Sequence, residues 1–182
     1  MHRTVHDAPC TLNGNYNALM LALRYAYLLA LVVWLGGMMI LGALVAPATF
    51  GVLQASDPVH GRALAGDVFG AIITRFHYVA YAMGAIMFVS LGAMRLMGPK
   101  PAACTIRIGL VTAMLGVALY SGMFILRDID TIQQVSPGGV SQLGPADPRR
   151  VRFDELHQLS TRLMLLNVVG ALLLLYWEAR EK

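Results

Sequence analysis

Four runs free of Asp, Glu, Lys and Arg dominate this chain, and each is bounded by charge. They lie between Arg24 and Asp57, Arg75 and Arg95, Arg107 and Arg127, and Arg162 and Glu178. The first three are each long enough to cross a hydrocarbon core of about 30 Å as a helix, at about 1.5 Å per residue. The fourth run, 163–177, has 15 residues and covers only about 22 Å as a helix. It must therefore extend backward through Thr161, Ser160 and His157. The expected fold is all-α, an integral membrane four-helix up-and-down bundle in one domain, 1–182. Its spans are expected near 20–48, 66–97, 105–127 and 153–178.

Composition agrees with this class. Hydrophobic residues make up 57% of the chain and charged residues 13%, against about a quarter charged in soluble domains. Mean hydropathy is +0.62. So little charge excludes a disordered tail, and no nucleic-acid partner is expected. The net charge of +4 reads as a membrane orientation signal. The expected partners are the lipid bilayer and other membrane-protein subunits or further copies of the chain.

Connections set the topology. The link 97–105 is tight, whereas 50–65 and 128–151 are longer, and the polar, Gly- and Pro-rich 128–151 reads as an exposed extramembrane loop. Each face carries seven Lys or Arg. The short link is basic and bears no acid, and short basic loops dominate orientation. Both termini are thus expected in the cytoplasm, in a bacterial inner (plasma) membrane. The first apolar run exceeds a signal h-region of about 7–15 residues, so no cleaved signal peptide is expected. Cys10 and Cys104 fall on the reducing side in this topology and read as free thiols.

Chemistry-bearing residues gather at the outer face. His77 lies about 12 Å from the middle of its span and His157 about 15 Å from the middle of its own, at 1.5 Å per residue. Two histidines on different helices thus share nearly one depth. His157, Ser160, Met164 and Asn167 fall on one face at 100° per residue. Such a polar stripe should turn inward, with Asn167 hydrogen-bonded in the interior. Gly70 and Gly84 flank His77 on its helix face. They leave room either for a flat macrocycle or for close helix packing. Arg75 and Arg162 are candidate partners for an anionic group such as a haem propionate. Each histidine also reads as an interfacial anchor, and each arginine as a snorkelling side chain. The eleven methionines are dispersed, as packing residues would be. No Ser-His-Asp set, phosphate loop or paired carboxylate within a span points to hydrolysis, so no catalytic residue is assigned.

Three stretches carry a family resemblance: "LRYAYLLALVVWLGGMMILGALVAPATF" (23–50), "AGDVFGAIITRFHYVAYAMG" (65–84) and "FDELHQLSTRLMLLNVVGALLLL" (153–175). Together they resemble the domain of unknown function 4149 family, related to transmembrane protein 205. That resemblance implies a four-helix membrane bundle and makes His77 and His157 family-type positions. The first stretch is also similar to copper-resistance protein D and to HemJ-type protoporphyrinogen oxidase. In the latter, a histidine stands seven residues before the Trp. Tyr27 occupies that place here, which counts against the oxidase activity.

Three functions follow as expectations. The first is a non-catalytic accessory or small-partner-binding bundle of a membrane complex. The second is an electron-transfer bundle holding haem b or a metal through His77 and His157. The third is a copper or small-solute transport factor, for which broken helices or inward charges near the midplane are missing from spans one to three.

Overall fold

Long apolar stretches without interior breakers become helices, because lipid offers no partner for an open backbone N–H or C=O. The computed structural model describes residues 9–98, 101–136 and 138–180, with side chains from residue 14 onward. Among these residues there is no strand. Helix α1 (Pro9–Ile40) passes through a π-turn at Leu41–Val45 into α2 (Ala46–Ser56). Helix α3 is Gly61–Met97. Helix α4 (Cys104–Tyr120) passes through a second π-turn, Ser121–Ile125, into α5 (Leu126–Gln134). Helix α6 is Pro148–Arg180. These make four rods long and apolar enough to cross a membrane. The rods pack in a ring: α1 on α3, α3 on α4, α4 on α6, and α6 back on α1. Helices α3 and α6 therefore oppose each other across the diagonal.

The core occupies the half of the bundle near the 98–103 link. Leu31, Met87, Leu91, Val111 and Leu174 are all fully buried there. Leu29, Val32, Val89 and Leu172 point outward, as lipid-facing residues do. Glycine sets the closest approaches. A Cβ on Gly84 would come within 2.8 Å of both Trp34 and Leu115, and one on Gly170 within 2.9 Å of Met114 Sδ. Gly37 similarly admits the ring of Phe76.

At the opposite end the helices run further than their apolar runs. The first rod continues to Ser56, leaving a turn of 57–60 in place of the linker expected over 50–65. The segment read as a loop over 128–151 is helical at both ends, and its non-helical part lies within 135–147 apart from a short 3₁₀ turn at Val140–Gln142. Charge hid α5. Its Leu126, Ile129, Ile132 and Gln133 turn inward while Arg127, Asp128 and Asp130 face out, which is helical periodicity inside a polar stretch. At the start of α6, Asp147 Oδ1 accepts the N–H of Arg149 at 2.9 Å. Pro148 follows Asp147 directly, the expected pairing of an acidic cap with a first-turn proline.

Candidate functional site

Above the Gly84 and Gly170 contacts, small side chains leave the bundle open inside. Ala80 and Ala118 line the gap with Trp34 and Asn167 at the same end, and Gly42 and Gly70 line it further out. The result is a cavity of about 940 Å³, within the range of about 300–1,000 Å³ usual for small-molecule sites. All four rods contribute walls, and residues from 136–141 line it as well. Gln142 Nε2 donates to Val59 O at 2.9 Å, tying this loop to the 57–60 turn. Gly139 (φ 88°) has the left-handed conformation that favours glycine, and a Cβ there would meet Ala63 Cβ at 2.6 Å. Arg150 Nη1 donates to Leu143 O at 2.8 Å and holds the far end of the loop.

Both π-turns border this cavity. In the first, Ala46 N–H bonds to Leu41 O, five residues back. The wider turn relieves the clash a proline at position 47 would make with the carbonyl of Ala43. In the second, Leu126 N–H reaches Ser121 O. A Cβ on Gly122 would come within 2.0 Å of Tyr81 Oη and 2.7 Å of His77 Cδ2. This glycine lets α3 lay two polar side chains against α4.

His77 is half-buried and lines the cavity. Its Nδ1 lies 2.8 Å from Ile73 O. A carbonyl only accepts, so Nδ1 carries the proton and Nε2 keeps the lone pair in the neutral ring. The ring packs edge-on to Tyr81 at 6.0 Å between centroids, and Tyr81 Oη donates to Ala118 O at 3.4 Å. His157 is exposed, stacks on Phe153 at 6.1 Å and 4°, and borders the same cavity from α6. The two histidines thus approach one space from diagonally opposed helices. Ser160 is half-buried and lines it too.

Arg75 and Arg162 do not join them. Both are exposed and absent from the cavity wall, where Arg62 and Arg150 stand instead. Helical phase is the reason, since Arg75 and Arg162 sit on faces of α3 and α6 turned away from the bundle axis. Gly70 and Gly84 divide the two roles open to them. Nothing lies within 4 Å of a Cβ at Gly70, whereas Gly84 packs helices together.

Asn167 faces the interior as its stripe requires, buried at 6% exposure. It lines the cavity and has no hydrogen-bond partner among the described residues, so the expected protein partner is missing. Its face of α6 looks into open space rather than onto a neighbouring helix. Ser121, also 6% exposed, lines the cavity with its hydroxyl likewise unpartnered. Neither Ser121 nor the π-turn that holds it was singled out in the sequence. "SGMF" between apolar runs carries only a weak signal, a hydroxyl beside a glycine.

A second polar cluster lies at the other end. Glu178 accepts from Arg107 Nη1 at 2.8 Å and from Arg24 Nε. In the sequence, Arg24, Arg107 and Glu178 read only as edges of apolar runs.

No curated protein and no solved structure matches the chain. A family model does match, over residues 29–135, taking in Arg75, His77 and Ser121 and stopping before His157. Tertiary packing therefore brings residues inside and outside the matched region to one cavity. On that match, the chain belongs to the family described as domain of unknown function (DUF4149).

Proposed function

We propose that this multi-pass membrane protein is a non-catalytic binding bundle that takes a small amphipathic partner molecule into the cavity among its four rods. The observation carrying this reading is a cavity of about 940 Å³ into which Asn167, buried yet without a protein partner, is turned. The Asn167 amide opens onto the cavity, where a ligand's polar group can take the hydrogen bonds that α6 leaves open. The same polarity assignment as in the sequence reading, with both termini cytoplasmic, has the cavity end facing outward.

An apolar fluorophore tests the reading. N-phenyl-1-naphthylamine added to the purified protein in detergent should show saturable fluorescence enhancement. Gly70→Phe fills the cavity where the backbone has room and should suppress that enhancement. Val89→Phe, on the exposed face, should leave it intact. Equal signals from all three proteins would refute the cavity as a ligand site.

Haem b is a second reading, favoured by one observation. His77 and His157 border a single cavity from opposed helices, and the Ile73 carbonyl holds His77 in the tautomer whose Nε2 is a ligand atom. Arg62 and Arg150 are the cations available there for propionates. Protein purified from haem-supplied cells should then show a Soret band that His77→Ala and His157→Ala each abolish. Colourless wild-type protein removes this reading and leaves the first.

A further inference from the structure

The cavity is crossed by a loop at its end and open on one flank. At the end, the 3₁₀ turn packs on both α3 and α6, with Gln142 bonded to Val59 and Gly139 against Ala63. Along the sides, α5 packs on α6, and α2 packs on α3, where Phe50 meets Phe69 edge-on at 6.3 Å. No comparable packing joins α2 to α6 among the described residues. The lining face of α6 records this gap. Asp154, His157 and Thr161 are exposed, Ser160 and Met164 half-buried, and Asn167 buried, although all six line the cavity. At 100° per residue, exposure rises round the helix with angle away from Gly170, which packs on Met114 of α4. The exposed edge therefore lies on the side of the first rod. Met164 fixes that side and closes the gap from below, its Cε 3.7 Å from a Cβ placed on Gly42. From Asp154 to Met164 the opening is about 15 Å tall, half of a hydrocarbon core of about 30 Å. It faces the acyl chains of one leaflet.

Charge in the lining is confined to one level. Arg62, Asp67, Arg150 and Asp154 stand at the outer ends of α3 and α6, and Asn167 lies about 20 Å deeper than Asp154 along α6. Below His157 the lining holds no carboxylate, ammonium or guanidinium. A charged group carried to Asn167 would meet no counter-ion and would bear the cost of desolvation. A hydroxyl is served there, because the Asn167 amide both donates and accepts and His77 Nε2 accepts. Resting on the cavity being a ligand site, we infer that its occupant is a membrane lipid with an uncharged, hydroxyl-bearing head, entering sideways between α2 and α6. The head reaches toward Asn167 while the chain lies in the gap against the surrounding acyl chains. Entry by this route exposes no part of the chain to water, so none of its hydrophobic stabilisation is lost on the way.

Trp34, 1% exposed and in the cavity wall, reports on the occupant. The test uses Trp177→Phe protein in phosphatidylcholine liposomes, with one dibrominated stearoyl chain offered as the monoacylglycerol, the phosphatidylcholine or the free carboxylate at alkaline pH. The monoacylglycerol should quench Trp34 saturably, at a mole fraction about tenfold below the other two, the scale of one buried hydrogen bond. Asn167→Leu should remove that preference. Ala46→Phe with Thr161→Phe puts a ring on each rim of the gap and should weaken the quenching several-fold, whereas Val89→Phe should not. Equal quenching by all three lipids would overturn the uncharged head. Quenching that Gly70→Phe abolishes but the two rim rings leave intact would overturn entry between α2 and α6. Should the naphthylamine bind in a Gly70-dependent way while no brominated lipid quenches saturably, this inference falls and the cavity reading stands. The three-lipid comparison stays decisive even if a variant does not fold. Absence of specific binding by naphthylamine and lipids alike overturns both proposals.

Discussion

Arg107 on α4 donates from Nη1 to Glu178 Oε2 on α6 at 2.8 Å, with the two side chains 1% and 7% exposed. Arg24, 43% exposed, binds the other oxygen of the same carboxylate from α1. One acid thus joins three helices at the end of the bundle opposite the cavity. The Arg107 and Glu178 charges are desolvated and tolerable only while their partners stay in place. The arrangement also draws two arginines that flank apolar runs into protein contacts rather than leaving them among headgroups.

Glu178→Ala should therefore destabilise the bundle by about 3–5 kcal/mol, the cost of stranding a buried partner charge. Arg24→Gln removes a half-exposed partner and should cost less than about 1 kcal/mol. Thermal unfolding in detergent micelles separates the two. Similar losses for both variants would mean that the buried Arg107–Glu178 pair is not what holds these helices.

Glycine substitutions should rank by what each new methyl meets. At Gly61 it would lie 2.0 Å from the carbonyl oxygen of Leu53, which is backbone and cannot swing away. At Gly170 it meets Met114, whose side chain is flexible. Gly61→Ala should cost at least about 1–3 kcal/mol, the scale of overpacking, and open the 57–60 turn. Gly170→Ala should be close to neutral. Reversal of that order in unfolding experiments would contradict the packing described.

The 57–60 turn should be acid-sensitive. Asp57 accepts the N–H groups of His60 and Val59, both at 2.9 Å, and these bonds lower its pKa from the ordinary carboxylate range, with a smaller contribution from the charge of His60. A carboxylate depressed in the folded state contributes its stabilisation above the unfolded value, about 4. That contribution is lost as pH falls through the lower folded value. Asp147, held down by Arg149, behaves the same way at the start of α6. Protection factors at Val59 and His60, the exchange rates divided by the intrinsic rates at the same pH, should fall as the solution is taken below about pH 4, and Asp57→Ala should remove that pH dependence. A flat profile in the wild-type protein would count against the cap.

Orientation is testable with single cysteines. Native Cys104 is buried, so its failure to label would say nothing about sidedness. With Cys104 and Cys10 both replaced by alanine, Ser141→Cys and Ala102→Cys each offer an exposed position at opposite ends of the bundle. Ser141→Cys should react with a membrane-impermeant maleimide in intact cells, and Ala102→Cys only after lysis. The opposite pattern would invert the assigned topology.

The amino-acid sequence alone determined that four helices exist, because a run without charge in lipid has no other way to satisfy its backbone. It also determined that α6 reaches back through His157, since 15 residues fall short of the membrane thickness. The inward turn of Asn167 was legible from helical phase. Other features depended on which neighbour each helix face meets. Asn167 lacks its partner because α6 there borders a void, and that void exists because α3 (Ala80, Gly70) and α4 (Ala118) face it with small side chains. Arg75 and Arg162 were separated from the histidines by phase within the assembled ring, and Arg107 was drawn inward by an acid 71 residues away. Periodicity along one helix says which side turns inward. Only packing between helices decides whether that side meets another side chain, an ion partner or open space.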